Sequence, residues 1–144
     1  MTKQECIHFL KQTQRSYNTH MSSIKYSEKQ NFSGYKPLIL NKEKSLAGKL
    51  LYENIKATKN IIGTIFYDEL ESLHSEWCEE YNKISNVYLK NTKKSFLFGK
   101  RIDPMSKDKI KAYLDDLIHT TEQIMVILNK ILTRVHALSD SKFS

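Results

Sequence analysis

From Ile110 to Leu138, apolar residues return at alternating four- and three-residue steps: Ile110, Leu114, Leu117, Thr121, Ile124, Leu128, Ile131, Val135 and Leu138. Thr121 is the single polar member. A repeat of this period puts every member on one side of an α-helix, which excludes a strand over the stretch. Tyr113, Met125, Ile127 and Leu132 widen the stripe beyond a two-stranded seam, so more than one neighbour must cover this helix. Asp103 followed by Pro104 supplies a capping carboxylate and a proline at the first helical position. The pattern predicts a helix over 104–138 and a frayed tail at 139–144.

A second stripe runs through Ile7, Leu10, Gln14, Tyr17, Met21 and Ile24. Thr2 and Glu5 have the spacing of a capping box, so a helix is expected over 2–29. Residues 31–41 hold Gly34 and Pro37 and read as a connection, with Asn41 or Ser45 able to cap the next helix. From Leu51 to Trp77 the apolar residues stay in helical phase across Gly63. One helix over 42–89 would be roughly 70 Å long, at 1.5 Å per residue, and would imply an elongated dimer. A break near Asn60–Thr64 gives helices at 42–60 and 64–89 instead. The expected fold is a single all-α domain, an antiparallel four-helix bundle.

The 144 residues contain only four glycines and two prolines, few for an all-β chain. The longest apolar run, Ile124–Leu128, is far shorter than a membrane span, and the N-terminus lacks the apolar core of a signal peptide. A soluble cytoplasmic protein with Cys6 and Cys78 as free thiols is expected. The formal net charge of +7 favours an acidic partner. Acids occupy Asp68, Glu69, Glu71, Glu76, Glu79 and Glu80 without an intervening base. Lys83, Lys90, Lys93, Lys94, Lys100 and Arg101 come next without an acid. Such runs are either solvated faces or a polarised surface for self-association.

The sequence has no Gly-x-Ser-x-Gly, no glycine-rich phosphate loop and no Cys–His pair with an orienting acid, so a non-enzymatic role is expected. Glu5-Cys-Ile-His8, Glu71-Ser-Leu-His74 and Asp116-Leu-Ile-His119 have the ligand step of di-iron bundles, but the first lies in an opening turn and the third points away from the stripe. Lys93-Lys-Ser-Phe-Leu-Phe-Gly-Lys-Arg101 interleaves bases with aromatics. It reads either as an apolar lid on the bundle's end or as a surface for nucleic acid or another acidic partner, through Lys90, Lys93, Lys94, Lys100 and Arg101.

His74 and Cys78 are one helical turn apart, so both can face one ion. They equally suit a small polar flank beside Leu70, Leu73 and Trp77, since free cysteine packs as a small hydrophobe. The order His20, Ser45-Leu-Ala-Gly-Lys-Leu50, His74-Ser-Glu-Trp-Cys78 resembles the chemoreceptor zinc-binding (CZB) domain over roughly residues 10–80. That family is a four-helix bundle carrying a His, a Cys-x-Leu/Phe-Gly-x-Trp segment and a His-x-x-x-His pair. His20, His74 and Cys78 would match ligands, and Gly48 the glycine; Ser45, Ala47 and Leu50 depart from the pattern. The resemblance implies a zinc-responsive sensory module of the kind attached to signalling domains. Arg15-Ser-Tyr-Asn-Thr-His20 also resembles the Arg-x4–6-His motif of HEPN ribonucleases, which act at a dimer cleft. The leading expectation is a small sensing or interaction module with a zinc site at His20, His74 and Cys78. Binding of nucleic acid or an acidic protein is the alternative, and a HEPN-type ribonuclease is third.

Overall fold

The computed structural model describes residues 1–95 and 99–143, with side chains at 91–101 outside that description. In chain order it contains α1 (Lys3–Lys29), α2 (Leu46–Tyr52), α3 (Ile55–Ile62), α4 (Thr64–Asn91), a hairpin of β1 (Thr92–Ser95) and β2 (Gly99–Ile102), and α5 (Pro104–Ala137). The architecture is all-α, the hairpin being the one departure among the described residues. Among those residues no helix is long and apolar enough to cross a membrane.

α1 starts at the expected box: the Glu5 amide donates to Thr2 Oγ1 at 3.1 Å, and the Thr2 amide to Glu5 Oε2 at 2.7 Å. Its buried stripe differs from the expected one at one step. Thr13 is fully buried and its hydroxyl donates back to the Phe9 carbonyl, whereas Gln14 sits at the edge and donates to Asn129 on α5. The helix ends as a Schellman motif. Asn31 has φ of 52°, its amide donates to Glu28, and the Phe32 amide donates to Ser27. Phe32 is left-handed too, with φ of 58°; burial against Tyr35 and Tyr88 offsets that strain.

The helix expected over 42–60 is two helices, and a continuous helix over 42–89 does not form. Ser45 caps α2 through Gly48, so the first turn begins four residues later than expected. Asn54 then caps α3 through Ala57, and the Thr58 hydroxyl reaches back to the Leu50 carbonyl. These local side-chain bonds compete with helix continuation, which lets the chain fold back at Glu53–Asn54. The second break falls at Gly63, whose φ of 87° suits a residue without Cβ. Arg134 of α5 holds that corner by donating from Nε to the Ile61 carbonyl.

α5 buries every position of its stripe from Ile110 to Val135. Thr121 belongs there because its hydroxyl accepts from Trp77 Nε1 at 2.8 Å and donates to the Leu117 carbonyl. α5 packs most extensively on α4 and next on α1. It runs antiparallel to α1, as the contacts Lys3–Leu138, Gln14–Asn129 and Asn18–Met125 show. The tail was expected to fray. Residues 140–142 form a 3-10 turn, Phe143 packs on the core, and Lys3 Nζ donates to the open carbonyls of His136 and Leu138. The expectation for Phe96, Leu97 and Phe98 as a lid lies outside the described residues.

Candidate functional site

The connection between α1 and α2 has no regular structure, yet α4 holds its backbone at alternate residues. Ser85 donates to the Leu38 carbonyl at 2.6 Å, and Asn82 both accepts from the Leu40 amide and donates to the Leu40 carbonyl. His74 Nε2 lies 2.8 Å from the Lys42 carbonyl. The chain then turns into α2 so tightly that a Cβ on Gly48 would stand 2.0 Å from that same carbonyl. Glycine at 48 is therefore what brings Lys42 within reach of His74.

His74 is 1% exposed and bonded through both ring nitrogens. A carbonyl has no proton to give, so Nε2–H must donate to Lys42, with Ser45 Oγ also 3.0 Å from Nε2. Nδ1 then carries the lone pair and accepts the Tyr17 hydroxyl at 2.5 Å. The pattern belongs to a neutral imidazole. Burial pushes the His74 pKa below its usual value, against a weaker opposite pull from the Lys42 carbonyl. Burial also drives the Tyr17 hydroxyl well up, which keeps it a donor.

Cys78 Sγ lies 3.8 Å from His74 Nε2. That is close to the edge of about 3.6 Å expected for a tetrahedral zinc with one N and one S ligand, so spacing alone admits an ion. The chemistry does not fit. Nε2 spends its proton on Lys42, Nδ1 is taken by Tyr17, and burial pushes the Cys78 thiol up to about 11, far from the thiolate that zinc requires. Ser45 contributes a hydroxyl already donating to Lys42 and accepting from Gly48. Among the described residues no three His, Cys, Asp or Glu side chains are placed to hold a metal.

Above His74 opens a cavity of about 320 Å³ between α1, the connection and α4. His20, Ser45 and His74, drawn from three separate segments, all line it, together with Trp77. His20 rests edge-on against Trp77 and Tyr81, and burial lowers its pKa. Cys78 is not among the lining residues.

The remaining candidates separate. Arg15 is exposed while His20 turns toward α4, so the two share no face. His8 and His119 are exposed, and Glu71 accepts from Tyr52 and Ser75 and pairs with Lys42 rather than joining His74. Lys90 is exposed, and the hairpin register sets Lys93 across from Arg101 and Lys94 across from Lys100. Sequence reasoning missed Tyr17 as a partner, because it reads as a stripe residue, and the Lys42 carbonyl, which no side-chain motif can reveal. It also missed Glu80, which is 8% exposed on the α4–α5 seam: Oε1 accepts from Thr120, and Oε2 is buried without a hydrogen bond. Comparison with family models, with curated proteins and with solved structures found no match.

Proposed function

We propose that this chain is a small non-catalytic sensing or interaction module whose ligand sits in the cavity above His74. What supports the reading is one observation: His20, Ser45 and His74, far apart in sequence, border a single cavity of about 320 Å³ with Trp77 at its wall. That volume lies at the lower end of the ~300–1,000 Å³ typical of small-molecule sites. On this reading the short helices α2 and α3 act as the fourth member of a bundle with α1, α4 and α5, and the start of α2, at Leu46 and Ala47, adds to the cavity's lining. His74 serves as its floor, a neutral hydrogen-bond junction tying α1, the connection and α4 together, in place of the zinc centre that a CZB-like module would carry.

Two measurements test this. Fragment screening by amide NMR should find compounds whose shifts cluster at Asn41, Ser45 and Trp77 and vanish in Ser16→Phe, which fills the mouth from a half-buried position. Shifts scattered elsewhere, or undiminished in Ser16→Phe, would remove the cavity from consideration. Metal analysis of protein purified without a histidine tag should find well under one zinc per chain. One zinc per chain, lost in His74→Ala, would restore the metal reading.

A second reading rests on the hairpin. The register pairs Lys93 with Arg101 and Lys94 with Lys100, which gathers four basic residues on one short hairpin. Such a concentration of bases suits a polyanion. A salt-dependent nucleic-acid shift, weakened in Lys93→Ala and Lys94→Ala, is the expected result, and no shift at low salt would end this reading.

A further inference from the structure

The residues around the cavity's mouth bear on the kind of ligand it takes. No Asp or Glu lines it. Lys44 lines it and is exposed, with no ion-pair partner among the described residues. Asn41 uses its side-chain oxygen to accept from the Glu43 amide, and its Nδ2 group has no acceptor among the described residues. The Ser16 hydroxyl on α1 faces the same space and has no hydrogen bond to the protein among the described residues. The lining therefore carries one formal charge, a cation, beside hydrogen-bonding groups of Asn41 and Ser16. Leu40, Leu46, Ala47 and Trp77, the chain's only tryptophan, make up apolar parts of the same lining.

Resting on the cavity reading above, we propose that the ligand is a small organic anion with an apolar or aromatic body. Its carboxylate, or a group of equal charge, meets Lys44 and the Asn41 amide at the mouth. Its body lies against Trp77. The polarity is set by the lining: a cation would find no carboxylate there, and an anion alone gains from the Lys44 ammonium. The charge interaction sits in water-exposed surroundings, so it tunes selectivity by a modest factor and not by orders of magnitude.

The test uses three ring compounds of matched size: benzoate, benzamide and benzylamine, titrated into the full chain and followed by amide NMR at about 50 mM salt, low enough to leave exposed charges weakly screened. Benzoate should bind saturably with the largest shifts at Asn41, Lys44 and Ser45, about fivefold tighter than benzamide, with benzylamine weakest. Lys44→Gln, at an exposed position that leaves the fold intact by circular dichroism, should erase the preference for benzoate over benzamide. Benzamide or benzylamine equalling benzoate at the cavity would overturn the anion while leaving the cavity standing. Failure of all three to perturb it below about 10 mM, where weak fragments bind, would overturn the anion and the cavity reading together. Preference for benzoate that survives Lys44→Gln would also overturn the proposal.

Discussion

Tyr17→Phe is the sharpest probe of the His74 junction, because it deletes one oxygen and keeps the ring. The ring packs edge-on against Trp77 at 4.9 Å between centroids, a contact phenylalanine retains. What is lost is the only hydrogen-bond donor to His74 Nδ1 among the described residues. His74 is 1% exposed, so water cannot replace the hydroxyl without opening the core. Leaving one buried acceptor unpaired costs about 1–3 kcal/mol. At roughly 3 °C per kcal/mol for a chain of this length, the melting temperature should fall by about 3–10 °C. Urea unfolding near neutral pH, read by circular dichroism, measures the difference with unchanged slope. Ring-nitrogen NMR of the parent should show the proton on Nε2. A loss below about 0.5 kcal/mol, typical of an inconsequential surface change, or a proton found on Nδ1, would refute the hydrogen-bond assignment.

Other perturbations should separate the remaining contributions. Gly48→Ala places a Cβ against the Lys42 carbonyl, a backbone atom that cannot step aside cheaply; a loss of at least about 2 kcal/mol in urea melts is expected, with altered NMR signals for His74. His74 and His20 both have folded pKa values lowered by burial, so the unfolded chain takes up protons first as pH falls. Stability should therefore decline from about pH 6.5 downward, by at most ~1.4 kcal/mol per pH unit for each group, and His74→Gln should flatten that slope. Glu80 behaves oppositely: burial raises its pKa, so its contribution is favourable at low pH and lost as pH rises through the folded value. Glu80→Gln keeps the Thr120 bond and gives an amide that can donate toward Glu76; it should stabilise by about 1 kcal/mol near pH ~7.5 and by nothing near pH ~4, read from paired melts.

The long helices could be read from spacing because each apolar position in α5 does the same thing, facing a core that α1 and α4 complete. Caps were legible for a similar reason: Thr2, Ser45 and Asp103 act within one turn of themselves. The division of 42–60 was not, since Asn54 is an unremarkable surface residue until it caps α3. Thr13 displaced Gln14 from the core because a hydroxyl can turn back to its own helix and a long amide cannot. At the site, the expected set was His20, His74 and Cys78, with Ser45 as a departure; His20, Ser45 and His74 line one cavity and Cys78 does not. Spacing did not reveal what they hold, because Nε2 is claimed by a main-chain oxygen brought near by a glycine. Charge runs foretold the hairpin's basic character but not its pairing.

The way α4 grips the connection also bears on which substitutions this protein can absorb. Ser85, Asn82 and His74 address the main chain of Leu38, Leu40 and Lys42, never their side chains. Any residue with an extended backbone satisfies such a contact, so 38 can drift in identity without loosening the segment, whereas the Lys42 side chain also reaches Ser75 and Glu71 on α4. The three α4 positions cannot drift, because each supplies a specific donor. Variation should thus be lopsided across a single contact line, permissive where the main chain alone is held and strict on the helix behind it.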